Sequence, residues 1–98
     1  MNLKFRRLRP DPGTLFQVVA GESVLLNLAS QKYFGLNAVG TRVWDLLQET
    51  EDVLAIRDRL LAEYDVTEAQ LDADLNDLLG GLAEAGLVAD AGPVPADE

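Results

Sequence analysis

Apolar positions alternate between residues 14 and 36, with the two-residue period of β-strands. Thr14–Ala20 and Lys32–Leu36 are rich in β-branched and aromatic residues, and Ser23–Ala29 divides its leucines and valine between two faces. Turn residues at 21–22 and 30–31 separate the three segments. The pattern predicts an antiparallel meander of three short strands.

From Asn37 onward the apolar period lengthens to that of an α-helix. Asn37 is a good N-cap for a first helix, because its side chain can accept from an unpaired backbone N–H of the first turn. A second helix is predicted from about Val53 to Tyr64. A third runs from about Glu68 to Ala85 and opens with a capping box, in which Thr67 and Gln70 cap each other's backbone N–H groups.

Three glycines bear on the third helix. Gly86 is placed to end it in a left-handed conformation. Gly80 and Gly81 lie inside the helix, where each costs about 1 kcal/mol relative to alanine. Either the helix weakens or kinks at this pair, or another group packs close to its backbone; of the two, we favour a weakened or kinked helix.

Strands followed by helices predict an α+β fold, similar to a winged helix-turn-helix with its sheet first. The chain has 98 residues, enough for one domain. We expect a basic N-terminal arm at 1–13, the folded domain at 14–88 and an acidic flexible tail at 89–98. The chain carries 8 basic and 17 acidic residues, net −9. Because the acidic residues concentrate in the second half, nucleic-acid binding is disfavoured.

The composition excludes most catalytic and metal chemistry. Cysteine and histidine are absent, which removes thiol catalysis and the commonest general base and metal ligand. Asp72, Asp74 and Asn76 match the opening of a calcium loop, but Asp77 stands where that loop needs glycine. There is no membrane-length apolar run and no secretory signal. We therefore expect a cytoplasmic, non-enzymatic protein without cofactor or metal.

The two largest aromatic residues have different predicted surroundings. Trp44 lies beside the apolar stripe of the first helix and is predicted to lie in the core; the stripe consists of Val39, Val43, Leu46 and Leu47. Tyr33 lies in the short last strand, which is predicted to form an edge of the sheet. Unpaired N–H and C=O groups at such an edge are a template for another strand, so strand addition is a candidate function.

The sequence resembles the PqqD-like family, and the resemblance covers about residues 14–88. This family includes the pyrroloquinoline quinone biosynthesis chaperone and the precursor-peptide recognition elements of pathways for ribosomally made, modified peptides. The matching residues are Val24-Leu25-Leu26-Asn27-Leu28, Lys32-Tyr33-Phe34-Gly35-Leu36-Asn37, Gly40, Val43-Trp44, Asp74-Leu75, Leu78-Leu79, Leu82 and Gly86-Leu87.

The resemblance implies that the protein binds the leader segment of a precursor peptide. The leader would add as a strand to the segment Gln31–Leu36, with its side chains entering a cleft beside the helix Thr67–Ala85. The implied binding residues are Gln31, Lys32, Tyr33, Phe34 and Gly35 in the strand and Leu71, Asp72, Asp74, Leu75, Leu78 and Leu79 in the helix. Which face of the strand takes part is left open.

The resemblance also implies a partner to which the peptide is presented. This is a radical SAM enzyme in the quinone pathway, and a cyclase or leader protease in lasso-peptide and related pathways. The stretch Asn27–Phe34 is more similar to the lasso-type members. An unoccupied edge strand also permits a homodimer.

Two alternatives remain at this point. A winged-helix DNA-binding regulator would use the basic arm, and a small partner-binding subunit would use the acidic helical face.

Overall fold

The computed structural model describes Leu3 and residues 6–93. It confirms the α+β architecture, with a three-stranded antiparallel sheet and three helices, and adds a second, two-stranded sheet. In chain order the elements are β1 (Arg6–Pro10), β2 (Thr14–Val19), β3 (Glu22–Asn27), β4 (Lys32–Leu36), α1 (Ala38–Glu49), α2 (Val53–Glu63), α3 (Glu68–Glu84) and β5 (Val88–Pro93).

The three-stranded sheet has the order β2-β3-β4, so β2 and β4 are its edges. β2 and β3 are joined by Ala20 and Gly21, whose φ angles of 56° and 82° are typical of a two-residue type I′ hairpin turn. The turn therefore lies one residue earlier than the predicted turn at 21–22. Between β3 and β4, the side chain of Asn27 accepts from the backbone N–H groups of Ala29 and Ser30, at 2.9 and 3.0 Å.

The helix boundaries follow from side-chain caps. The predicted caps are confirmed, because Asn37 accepts from the Gly40 N–H at 2.9 Å and Thr67 accepts from the Gln70 N–H at 3.2 Å. The reciprocal half of the predicted capping box is wrong: the Gln70 side chain donates to Asp74 instead.

The predicted C-cap of α3 is confirmed. Gly86 has a φ of +76°, in the left-handed region. The Leu87 N–H donates to the Leu82 carbonyl at 2.9 Å and the Gly86 N–H to the Ala83 carbonyl at 3.1 Å, the pair of bonds of a Schellman motif. The motif returns the chain to the core, where Leu87 is fully buried.

The core lies between the inner face of the sheet and the three helices. Trp44 is buried, as predicted, and contacts Phe16 edge-on with ring centroids 6.5 Å apart. Gly40 brings the first turn of α1 against the sheet, because a Cβ there would lie 3.1 Å from Cδ2 of Leu36. A buried hydrogen bond of 2.8 Å between the Ser23 and Thr41 hydroxyls also joins sheet to helix.

The two-stranded sheet was not predicted from the sequence. β1, in the segment expected to be an arm, pairs antiparallel with β5, which lies in the segment expected to be a flexible tail except for its first residue, Val88. β1 is held in the folded domain by Leu8, because this side chain is only 1% exposed and its backbone N–H donates to the Glu51 carbonyl at 2.8 Å. At the surface, hydrogen bonds from Arg6 lower the pKa of Asp90. Residues 94–98 of the predicted tail lie outside the described residues.

Replacing Leu8 tests whether β1 belongs to the folded domain. We expect Leu8→Ala to lower the free energy of unfolding by roughly 2–5 kcal/mol, the usual cost of truncating a buried leucine. Arg9→Ala is the matched control on the same strand, because the Arg9 side chain is 63% exposed. Urea denaturation of both variants measures the difference. Equal, small losses would contradict a structural role for β1.

Candidate functional site

The free edge of β4 presents unpaired backbone groups. Antiparallel ladders alternate between hydrogen-bonded and non-hydrogen-bonded pairs, and the pair that flanks a two-residue turn is hydrogen-bonded. Val19–Glu22 flanks such a turn, so Glu22, Val24 and Leu26 of β3 direct their backbone groups toward β2. Leu25 therefore directs its backbone groups toward β4, where it forms a hydrogen-bonded pair with Phe34. The backbone N–H and C=O groups of Tyr33 and Gly35 therefore point away from β3, toward the open edge.

The register also defines the two faces of β4. Phe34 pairs with Leu25, which is fully buried, so Lys32, Phe34 and Leu36 lie on the inner face of the sheet. Tyr33 lies on the outer face and is 72% exposed. The side chains that face the helices are thus those of Lys32 and Phe34, whereas Tyr33 and Gly35 contribute edge backbone groups. Gln31 lies in the preceding turn with a φ of 60°.

Phe34 connects β4 to α3. A Cβ on Gly81 would lie 3.2 Å from Cε2 and Cζ of the Phe34 ring, so the ring lies over the backbone of the helix at this glycine. α3 continues without interruption from Glu68 to Glu84. The helix is therefore not broken at the glycine pair, and close packing explains Gly81. A Cβ on Gly80 would meet nothing within 4 Å, so packing does not explain that glycine.

The two glycines provide a matched pair of substitutions. We expect Gly80→Ala to raise the free energy of unfolding by about 1 kcal/mol, the gain in helix propensity. Gly81→Ala brings the same propensity gain but forces the Phe34 ring to move, so its net gain should be smaller. Urea denaturation measures both. Equal gains would show that the Phe34–Gly81 contact does not constrain the helix.

An apolar groove of about 260 Å³ opens between the start of α1, the α2–α3 connection and the first half of α3. Of the predicted site residues, the groove includes Leu71, Asp74, Leu75 and Leu78. Sequence reasoning missed the other residues of the lining, which are Val39, Val43, Tyr64, Asp65 and Val66. The sequence offers a partial signal for Val39, which belongs to the apolar stripe of α1 but remains 39% exposed.

Carboxylates lie at this groove. Asp65 and Asp74 are exposed members of its lining, and Asp74 also accepts a hydrogen bond of 2.9 Å from the side-chain amide of Gln70. Asp77 is exposed and does not line the groove. An apolar groove that includes carboxylates suits a ligand with an apolar side chain next to a basic one.

Two predicted binding residues lie elsewhere. Asp72 accepts from Arg57 at 2.5 Å, and the hydrogen bonds that Arg57 donates to Asp72 and Glu68 raise the pKa of Arg57 above its usual value. Arg57 itself is buried, so the Asp72 carboxylate compensates a buried charge instead of lining the groove. Leu79 is fully buried in the core. The structure therefore gives neither residue a place on the candidate binding surface.

The described part of the chain contains no group of three or more acidic residues arranged to hold a metal ion. The segment that resembles the start of a calcium loop is part of α3. No helix among the described residues is both long and apolar enough to cross a bilayer.

Comparisons with known proteins agree with this architecture. The solved structure of TbiB1 in complex with the TbiA(beta) leader peptide is similar, with 38% identity, a TM-score of 0.75, and coverage of 82% of this chain and 93% of that one. A lasso peptide synthetase B1 complexed with the leader peptide is similar at 25% identity, with a TM-score of 0.67 and coverage of 85% and 98%.

No curated protein matches the chain. The family model described as coenzyme PQQ synthesis protein D (PqqD) matches residues 22–88, from the start of β3 to the first residue of β5. This match covers more than half of the chain. The chain therefore belongs to the PqqD family.

Proposed function

We propose that this protein is a non-enzymatic peptide chaperone. It binds the leader segment of a ribosomally made precursor peptide by strand addition to β4, and presents the peptide to a modifying enzyme, cyclase or leader protease in the cytoplasm. The observation that carries the proposal is the open backbone edge of β4 beside an apolar groove. The similarity to TbiB1, solved with a leader peptide, supports it.

The edge supplies the part of the affinity that depends little on leader sequence. Tyr33 and Gly35 each direct an N–H and a C=O toward the position of an added strand, so up to four backbone hydrogen bonds can form along β4. Strand addition gives affinity through such bonds and specificity through pockets for alternate side chains. Because Phe34 and Lys32 face inward, leader side chains on that face would be directed toward α3.

The groove supplies the specificity. α1 begins two residues after β4 ends, so the groove lined by Val39, Leu75 and Leu78 lies near that end of the strand. A leader that continues past β4 can place an apolar side chain there. Asp65 and Asp74 would favour a lysine or arginine beside that side chain, and this contribution should weaken with added salt.

The alternatives explain less of the structure. A recognition helix that reads DNA normally carries basic residues, but α3 contains no lysine or arginine and five acidic residues. Catalysis by the chain alone would have to proceed without histidine or cysteine. A subunit that uses only the acidic helical face would leave the open β4 edge without a role.

Fluorescence anisotropy tests the proposal. A labelled leader peptide from the short reading frame nearest this gene is titrated with the purified protein. We expect saturable binding at micromolar concentration or tighter, competed by unlabelled leader and not by a scrambled peptide. Absence of binding at high protein concentration, or equal competition by the scrambled peptide, would contradict leader recognition.

A further inference from the structure

β2, the other edge of the three-stranded sheet, is exposed on both faces. Its outer-face residues Leu15 and Val19 are 54% and 65% exposed, and its inner-face residues Phe16 and Val18 are 52% and 49% exposed. The strand contains no charged residue and no proline, and its register with β3 has no bulge. It therefore lacks the usual features that protect an edge strand from pairing.

The open backbone groups of β2 follow from the same alternation as in β4. Val19 and Gln17 are in hydrogen-bonded pairs with β3, so Phe16 and Val18 direct their N–H and C=O groups toward solvent. The edge at Phe16 and Val18 can therefore accept another strand without disturbing the β2–β3 hairpin. Near its start, the Thr14 hydroxyl is buried without a hydrogen-bond partner among the described residues.

We propose that β2 pairs antiparallel with β2 of a second copy, about a two-fold axis at Gln17. In this register Phe16 of each copy lies opposite Val18 of the other copy. Each of these two pairs exchanges two backbone hydrogen bonds, which makes four in all. The register also sets Leu15 opposite Val19 of the second copy on the outer face. Each large apolar side chain of β2 thus gains an apolar cross-strand neighbour, and the only polar pair is the neutral Gln17–Gln17 pair on the axis.

The self-complementary pattern is the reason to assign a second copy as the occupant. The chain carries a net charge of −9, yet β2 is neutral, so the strands meet without like charges opposed. The product is a continuous six-stranded sheet with a β4 edge at each end. Both β4 edges stay open, so this dimer is compatible with the proposed function but does not rest on it.

Charge substitutions on the axis test the register. In sedimentation equilibrium, we expect the wild-type chain to have twice its mass of 10.6 kDa at micromolar concentrations. Gln17→Glu and Gln17→Lys each place two like charges opposite one another and should raise the dimer dissociation constant by roughly 10-fold. An equimolar mixture of the two variants should restore dimers, seen as heterodimers by native mass spectrometry.

Three results would overturn the proposal. The first is a wild-type chain that stays monomeric at about 100 μM, a concentration above the dissociation constants of ordinary specific dimers. The open edge of β2 would then be available only to a strand of a different protein. A dimer that both variants retain would use another surface, as would variants that dissociate without recovery on mixing. Circular dichroism confirms that the variants fold. Leader anisotropy on the same samples is a separate readout, so failure of the dimer and failure of peptide binding are distinguishable.

Discussion

Tyr33→Pro is expected to weaken leader binding at least ~30-fold while leaving the fold intact. The substitution removes a backbone N–H that points to the open edge, worth about 1 kcal/mol, and the proline ring prevents close approach of the added strand. The ladder between β3 and β4 loses no bond, because Tyr33 lies in a non-hydrogen-bonded pair with Leu26. Anisotropy titration of the labelled leader measures the effect.

Tyr33→Ala is the matched control. It removes the same exposed side chain but keeps the backbone N–H, so binding should remain within a few-fold of wild type, as is usual for exposed positions. Unchanged circular dichroism and urea midpoints would show that both variants are folded. A folded Tyr33→Pro variant with wild-type affinity would exclude strand addition at β4. Equal losses in both variants would indicate that the tyrosine ring, and not the edge, holds the peptide.

Val39→Glu is expected to weaken leader binding by roughly 10-fold or more, because it places a carboxylate in an apolar groove that a leader side chain would fill. Val39 lines this groove and is 39% exposed, so the core loses little. A glutamate in the first turn of α1 also interacts favourably with the helix dipole, which protects the fold.

Ala38→Glu separates the groove from general electrostatics. Ala38 is exposed in the same first turn and does not line the groove, yet its substitution adds the same charge. We expect this variant to bind the leader like the wild type. If both variants lost affinity equally, added negative charge would explain the loss. If neither did, the groove would not be part of the leader site.

Local sequence signals predicted most of the fold. The alternation over residues 14–36, the caps Asn37 and Thr67 and the left-handed Gly86 each act over a few residues, and the structure confirms the elements that they define. These signals are readable because propensity and tertiary packing agree at each of them.

The β1–β5 sheet was not predictable because its stabilising contacts join distant parts of the chain. β1 is Arg-Arg-Leu-Arg-Pro, with one apolar residue and no alternation that would indicate a strand. Its burial depends on the β5 strand more than 75 residues later, and on the Glu51 carbonyl that receives the Leu8 N–H. Composition alone therefore predicted a basic arm and a flexible tail, and no pairing between them.

The sequence predicted which elements form the candidate site, but not which of their residues line it. The buried face of α3 contains both Leu71 and Leu75, which line the groove, and Leu79, which lies in the core, so helical periodicity alone does not separate groove from core. Asp72 was expected in the binding site together with Asp74, but its carboxylate accepts a hydrogen bond from the buried Arg57 of α2 instead. Likewise, the need for glycine at position 81 becomes clear only from the folded structure, in which the Phe34 ring lies against the helix backbone there.

Residue-resolved amide hydrogen exchange, measured by NMR with and without the leader peptide, tests the central claim most directly. In the free protein the Tyr33 and Gly35 amides face solvent, whereas the Phe34 amide pairs with β3. We predict that saturating leader slows exchange at Tyr33 and Gly35, that the scrambled peptide has no effect, and that Phe34 is protected throughout. Tight leader binding with Tyr33 and Gly35 still exchanging freely would contradict strand addition to β4.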